Sequence, residues 1–137
     1  MRVLVVSICF KDCKPTKDVG TLFEQFFDEP TIGYPFDSLA GFYRRSSYGA
    51  LRISGVGQPW YGEPVKRSTI RQTRARASAL IEKALRAADS RGVDFSRYDA
   101  NGGGRIDNVA FVWAGAVGKR GSLWWSFNAD FPRWSGR

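Results

Sequence analysis

The segment Arg2–Phe10 constrains the fold of this chain more than any other, because it is apolar almost throughout. A strand with one face in water alternates apolar and polar residues, whereas a strand covered on both faces is a continuous apolar run. Its β-branched residues favour a strand over a signal peptide, and no small-residue cleavage site follows it. The segment therefore predicts a buried strand, and no complete signal peptide is visible.

The clearest helical pattern covers residues 69–90 and predicts a long amphipathic helix. We expect Ser68 or Thr69 to cap its start and Gly92 to end it. Apolar residues recur at i, i+3 and i+4 along one face, which we expect to pack on a sheet. These residues are Ala77, Leu80, Ile81, Ala84, Leu85 and Ala88.

Two shorter helices are predicted ahead of the long one. Apolar spacing within residues 20–28 predicts the first, and the prolines and glycine of residues 29–35 should break it. Asp37-Ser38 can cap the second, which runs to about Tyr48 and ends at Gly49. The apolar face of the first helix comprises Leu22, Phe23, Phe26 and Phe27.

Further strands are predicted between and after the helices. Leu51 and Ile53 alternate with polar residues and predict a half-exposed strand, and Gly55–Glu63 predicts a turn and a short strand. Ile106–Ala114 predicts another buried strand. Together the elements predict an α/β (α+β) fold, with a mixed twisted sheet packed by the long helix. Residues 1–137 would form one domain or part of one.

The chain carries a net charge of +8, supplied mainly by arginine. A basic surface can attract nucleic acid, anionic membrane or acidic partners, but no recognised nucleic-acid motif accompanies this charge, so nucleic acid is not favoured. Arg67, Arg71 and Arg74 lie on a flank of the long helical pattern that we expect to be solvated rather than a binding patch. No apolar run is long enough to span a membrane.

Cys9 and Cys13 are the two cysteines of the chain. If residues 9–13 stay extended, their side chains lie about 13 Å apart, which is too far for a disulfide. The sequence therefore predicts two thiols that serve in packing. Without histidine or further cysteine, the pair is also a poor metal site.

The chain contains no histidine, which excludes Ser-His-Asp and Cys-His catalysis and a zinc site of the H-E-x-x-H type. The glycine-rich stretch Gly115–Arg120 follows a predicted strand, but its glycines are too closely spaced for a phosphate-binding P-loop. Arg120 also stands where a P-loop needs Ser or Thr. We therefore predict no catalytic residues in this chain.

Asp99–Asp107 matches the front of an EF-hand-type calcium loop. Asp99, Asn101 and Asp107 occupy positions 1, 3 and 9, and Arg105 can offer its backbone carbonyl at position 7. Position 5 is Gly103 and position 12 is an alanine, so two side-chain ligands are lacking. The pattern predicts weak calcium binding, and the alternative is an Asx turn whose side chains accept hydrogen bonds from backbone amides.

Several stretches resemble, in order, the immune inhibitor A-type family of zinc metallopeptidases. Phe10-Lys11-Asp12 after the first strand resembles the family's opening. Residues 38–51, with Ser-Tyr-Gly near their end, resemble its helix and turn, and Gly57–Tyr61 resembles the strand that follows. Residues 93–107 resemble its D-F-S-x-Y-D-x-D-G-D-G-x-V-D segment, and Val112–Gly115 resembles the next strand end.

The resemblance implies the zincin-like N-terminal part of a secreted peptidase domain that acts on peptide or protein substrates, with zinc and calcium as its metals. In the family, two histidines and a further ligand hold zinc, and the glutamate of H-E-x-x-H is the general base. That helix would lie downstream, in a missing C-terminal half. The aromatic tail from Leu123 is expected to be covered by such a segment.

The chain departs from the family pattern at Gly103, where the family usually has Asp, and at Trp125–Phe127, where the family often has a histidine. We therefore expect an N-terminal portion or a degenerate relative of the peptidase domain, inactive by itself. The alternative is a non-catalytic, basic and calcium-stabilised module that binds a protein or polyanion.

Overall fold

A computed structural model describes residues 1–14, 18–27, 37–126 and 128. These residues form β1 (Arg2–Phe10), α1 (Val19–Phe27), α2 (Leu39–Ser46), β2 (Ser54–Glu63), α3 (Arg74–Ser90) and β3 (Val109–Trp113). Short 3₁₀ turns occur at Arg67–Thr69 and Phe95–Tyr98. The predicted α/β class is confirmed, because helices alternate with the strands of one parallel sheet.

β1 is the central strand and covers the residues predicted for it. Leu4 and Ile8 lie in the core cluster that α3 joins. The opposite face of β1 is also buried, with Val3 5% exposed. Gly55 pairs with Val3, and a Cβ on Gly55 would collide with the Phe27 ring, so α1 covers that second face. Burial from both sides explains why the segment is apolar throughout.

The sheet has the order β2-β1-β3, and both strand pairs are parallel. The mixed sheet that we expected is not found among the described strands. Parallel neighbours need crossover connections, and here α1 and α2 connect β1 to β2 while α3 connects β2 to β3. As a result, the carboxyl ends of all three strands lie at the same edge of the sheet.

β2 is a ten-residue strand, whereas the sequence predicted a strand at Leu51 and Ile53 followed by a turn and a short strand. Residues 51–53 instead lead into the strand. The glycines and Pro59 that indicated a turn are tolerated because β2 is an edge strand. The register with β1 also shifts near Pro59, which lies at an irregularity where no ladder hydrogen bond from its nitrogen is needed.

α3 supplies one side of the core, and all six of its predicted apolar residues are buried. The helix begins later than predicted, at Arg74. The hydroxyl of Thr73, rather than that of Ser68 or Thr69, caps it by accepting a hydrogen bond from Arg76 N at 3.2 Å. Gly92 follows the helix end with a φ of +84°, as expected for a C-terminal glycine.

The backbone of α1 and α2 confirms the two shorter helices. Ser38 is the N-cap of α2, because its Oγ accepts a hydrogen bond from Gly41 N at 2.9 Å. Gly49 has a φ of +84° just after the helix end. The side chains of Leu22 and Phe23 and the predicted break at residues 29–35 lie outside the described residues.

β3 is shorter than the predicted strand and is half-buried rather than buried. Trp113 at its end stacks on Phe10 with the ring centroids 6.3 Å apart. Trp124 packs edge-on against Phe10 and Trp113, with centroid distances of 5.4 and 5.6 Å. Part of the aromatic tail therefore covers the carboxyl end of the core. Phe127, Phe131 and Trp134 lie outside the described residues.

Cys9 and Cys13 form a disulfide with their Cα atoms 5.8 Å apart, so the prediction of two separate thiols is wrong. That prediction assumed an extended backbone up to Cys13. β1 ends at Phe10 instead, and the chain turns, with Cys13 N donating to Phe10 O at 2.9 Å. The turn brings the two side chains into bonding range.

Candidate functional site

The sheet has two polar ends, and the predicted calcium loop lies at the end where β3 begins. Asp99 accepts hydrogen bonds from two backbone amides, Gly103 N at 3.0 Å and Gly104 N at 2.6 Å. Asn101 Oδ1 also accepts from Gly103 N, at 2.7 Å. These hydrogen bonds are the ones expected of an Asx turn, which the sequence offered as the alternative to calcium binding.

Asp107 closes this loop from its other side. Its carboxylate accepts hydrogen bonds from Ala100 N at 2.7 Å and Asn101 Nδ2 at 3.2 Å. Its own amide donates to the carbonyl of the buried Tyr98 at 2.9 Å, which ties the loop to the core. The structure thus brings together the side chains of Asp99, Asn101 and Asp107.

The donor set at this loop fits calcium in type but not in number. A carboxylate oxygen that accepts one amide keeps a second lone pair for a cation. Two carboxylates, one amide and the Arg105 carbonyl still fall short of the six or more oxygens that calcium takes, so waters would have to supply the rest. The described ranges contain no group of three or more His, Cys, Asp or Glu residues placed to hold a metal ion.

The opposite end of the sheet, where the strands finish, is strongly basic. The described residues that directly follow β1, β2 and β3 are 11–14, 64–69 and 114–122, and Asp12 is the one acidic residue among them. Asp18, further along the first loop, accepts a hydrogen bond from Thr21 N in α1. Because the strands are parallel, these loops share one edge of the sheet. Their basic residues are Lys11, Lys14, Lys66, Arg67, Lys119 and Arg120.

Arg67 joins all three loops, so the prediction that it belongs to a solvated flank is wrong. Its backbone amide donates to Asp12 Oδ1 at 2.9 Å, and its Nη2 donates to Ala116 O at 2.5 Å. The guanidinium carbon lies 4.4 Å from the centroid of the Trp124 ring, a cation–π contact. Burial lowers the pKa of the Arg67 guanidinium, and the Asp12 carboxylate opposes that shift. An arginine still stays charged at neutral pH.

The loop after β3 contains the glycine-rich stretch that does not match a P-loop. Gly118 N donates to Trp124 O at 3.2 Å, and Ser122 N donates to Lys119 O at 2.9 Å. A Cβ on Gly118 would collide with Ser122 Oγ and come within 2.8 Å of Trp124 Cβ, so only glycine fits. Two solvent-shielded atoms at this end make no hydrogen bond, Arg67 Nε and Ser122 Oγ.

β2 ends on Glu63, a buried carboxylate that the sequence analysis did not identify. Its side chain is 1% exposed and lies 3.0 Å from Lys83 Nζ. Tyr61 Oη donates a hydrogen bond to Glu63 Oε2 at 3.0 Å. Burial, followed by the hydrogen bond and charge of Glu63, raises the pKa of Tyr61 to about 12. Glu63 is therefore paired within the fold and does not neutralise the basic loops.

The grouping of Arg67, Ser122 and Trp124 was not predicted from the sequence. These residues come from two loops separated by the whole of α3, and only the parallel sheet brings the loops together. The available signal was that basic residues recur after each predicted strand.

No protein-family model matches this chain, and no curated protein matches it either. Among the described residues, no helix is long and apolar enough to cross a membrane. The likeness to immune inhibitor A-type peptidases is therefore carried by residue motifs alone.

Proposed function

We propose that this chain is the N-terminal portion, or a degenerate relative, of an immune inhibitor A-type metallopeptidase domain and that it is inactive by itself. The observation that carries the proposal is the family-like segment Val93–Asp107. Asp94 caps its 3₁₀ turn by accepting from Ser96 N at 3.1 Å, and Tyr98 is buried. The residues that resemble the family are thus the ones that shape this segment and lead it into β3.

Other family-like stretches support the proposal. Ser47-Tyr48-Gly49 follows α2 directly, and both Tyr48 and Gly49 have positive φ, at +53° and +84°. The Cys9–Cys13 disulfide supports secretion, since disulfides persist in oxidising compartments. In this proposal the chain forms the upper half of a cleft, and the edge strand β2 or β3 pairs with the extended backbone of a peptide or protein substrate.

Proteolysis would require zinc ligands and a general base from outside residues 1–137, which contain no histidine. The coding sequence after residue 137 is therefore the decisive test. We expect an in-frame H-E-x-x-H motif, and a longer chain that includes it should cleave a protein substrate. Changing the glutamate of that motif to glutamine should abolish cleavage. A downstream frame without the motif, together with a monomeric 137-residue chain that unfolds cooperatively, would contradict the proposal.

The proposal includes a calcium ion bound by Asp99, Asn101, Asp107 and the carbonyl of Arg105. We expect calcium at millimolar concentration to raise the melting temperature. Weak extracellular calcium modules have dissociation constants up to about that concentration. Asp99→Ala should remove that rise. Because this substitution also removes the acceptor for two backbone amides, the quantity to compare is the calcium-dependent shift and not the melting temperature itself.

Asp89→Ala is the matched control, because Asp89 is an exposed carboxylate near the end of α3. This variant should keep the full calcium-dependent shift. If calcium does not change the melting temperature of the unaltered chain, the calcium part of the proposal fails.

A second candidate function is a non-catalytic basic module that binds a protein or polyanion. The observation that favours it is the concentration of six basic residues and one acidic residue among the described residues that directly follow the three strands, at the carboxyl end of the sheet. Binding of polyglutamate by the isolated chain, reduced by rising salt, would separate this candidate from the peptidase proposal.

A further inference from the structure

We propose that the carboxyl end of the sheet is a binding site for a phosphate group, formed by the Arg67 guanidinium, the Ser122 hydroxyl and the basic residues of the loop after β3. This inference rests on the second candidate function and is independent of the peptidase proposal. Its ligand is a phosphate, free or carried by a small molecule.

Contacts between the loops hold the basic residues together in the free protein. Lys11 N donates to Val65 O at 3.0 Å, which joins the loop after β1 to the loop after β2. Arg67 extends this connection to Asp12 in the first loop and to Ala116 in the third. The disulfide closes the first loop. Cations held near one another create a positive potential that attracts an anion.

Two donors at this end lack a hydrogen-bond partner. Arg67 Nε and Ser122 Oγ are shielded from solvent and make no hydrogen bond. A shielded polar group without a partner costs free energy, and such groups are rare in native proteins unless a ligand or water satisfies them. The contacts of Arg67 with Ala116 O and with the Trp124 ring hold its guanidinium in place. A Cβ on Gly118 would meet both Ser122 Oγ and Trp124 Cβ, and the Trp124 ring contacts the Arg67 guanidinium, so both donors lie beside the same tryptophan. A phosphate has several acceptor oxygens and could accept from both.

The position in the fold agrees with this chemistry. Ligands of parallel α/β sheets bind beyond the carboxyl ends of the strands, where the loop backbone comes close to them. Gly115, with a φ of +116°, directs the chain away from β3 next to Arg67, and a Cβ there would lie 3.0 Å from Arg67 Cζ. A guanidinium N–H donates a charge-assisted hydrogen bond to a phosphate oxygen, and this does not require the lysine or the magnesium of a P-loop.

Titration with inorganic phosphate and with pyrophosphate tests the site. Ionic strength is held constant with sodium chloride, and binding is followed by calorimetry and by tryptophan fluorescence. We expect saturable binding of both anions and loss of the fluorescence change in Trp124→Phe, because the Trp124 ring contacts Arg67. Tighter binding of pyrophosphate would indicate a diphosphate ligand, and equal binding of glycerol phosphate would indicate a monoester. Either result supports the site.

Ser122→Ala distinguishes a role of Ser122 in phosphate binding from a role in stability. It should weaken phosphate binding about tenfold, the effect of one hydrogen bond to a charged group. It should leave the melting temperature unchanged or raise it, because it removes a shielded hydroxyl that has no partner. Ser126→Ala is the matched control, since Ser126 is exposed in the same stretch of chain, and it should change neither quantity. A lower melting temperature for Ser122→Ala with unchanged affinity would overturn the proposal.

Two double variants with the same change in net charge distinguish a specific phosphate site from attraction of phosphate by the net charge of the chain. Lys119→Gln with Arg120→Gln should weaken phosphate binding about tenfold or more, whereas Arg97→Gln with Arg105→Gln should change it less than about twofold. Equal weakening by both, or no saturable binding at millimolar phosphate, would overturn the site. If the chain binds polyglutamate but not phosphate, the second candidate function stands and the phosphate site is wrong.

Discussion

The acidic loop at one end of the sheet and the basic loops at the other differ in how their charged groups are satisfied. At the end where β3 begins, Asp99 and Asp107 accept their hydrogen bonds from groups inside residues 99–107. At the end where the strands finish, the charges come from three loops separated in sequence, and Arg67 joins them. Here Arg67 Nε and Ser122 Oγ remain without partners.

The acidic loop is formed by residues close in sequence, whereas the basic end is formed by residues from segments that are distant in sequence. The Asp99–Asp107 loop is shaped by bonds between residues at most nine positions apart, so a cation there would add to an arrangement that already exists. The basic end exists only when the sheet has formed. An anion that binds it should therefore stabilise the whole fold, because the unfolded chain has no such site.

The largest effect that we expect comes from Arg67→Met. This variant keeps much of the side-chain volume but loses the bond to Ala116 O and the cation–π contact with Trp124. The free energy of unfolding should fall by about 2 kcal/mol, measured by urea denaturation. Arg105→Met is the control at the other end, where the exposed side chain should contribute less than about 0.5 kcal/mol. Equal losses of unfolding free energy in the two variants would contradict the proposed difference between the two ends of the sheet.

A smaller effect should come from Gly104→Ala, which tests whether backbone conformation shapes the acidic loop. Gly104 has a φ of +73°, and a Cβ there would have no atom within 4 Å, so the cost is conformational alone. We expect a loss of about 1 kcal/mol in the free energy of unfolding. Gly62→Ala in β2 is the control, since Gly62 also has open space but no positive φ. An unchanged stability for Gly104→Ala would contradict the proposed role of the loop backbone.

The smallest effect concerns Tyr61 beside the buried Glu63. Its pKa of about 12 lies above the value of about 10 in an unfolded chain. The unfolded chain therefore loses this proton first as the pH rises, and the resulting stability is present below pH 10 and lost between about pH 10 and 12. Tyrosinate absorbance, compared with that of Tyr61→Phe, should show the late titration.

Glu63→Gln should lower the pKa of Tyr61 part of the way towards 10, because the charge of Glu63 is lost while the burial of Tyr61 remains. If Tyr61 instead ionises near pH 10 in the unaltered protein, the carboxyl end of β2 does not hold the closed Tyr61–Glu63–Lys83 arrangement.

Patterns confined to a few neighbouring residues predicted much of this fold. The apolar run of β1, the i, i+3, i+4 face of α3 and the Ser38 cap of α2 are all confirmed. The turn predicted within β2 and the two separate thiols predicted at Cys9 and Cys13 are wrong for one reason, since each outcome depended on what surrounds the segment. Pro59 is tolerated because β2 is an edge strand, and the disulfide forms because β1 ends at Phe10.

By itself, the sequence determined the α/β class, the buried strand β1 and the long helix, and it offered the Asx turn around Asp99 as one of two alternatives. These features depend on periodicity and on hydrogen bonds between near neighbours. Only the tertiary structure decided the parallel strand directions, the disulfide, the Glu63–Lys83 pair and the meeting of three basic loops around Arg67. Their partners lie in segments brought together by crossover connections and turns, so no local pattern in the sequence records them.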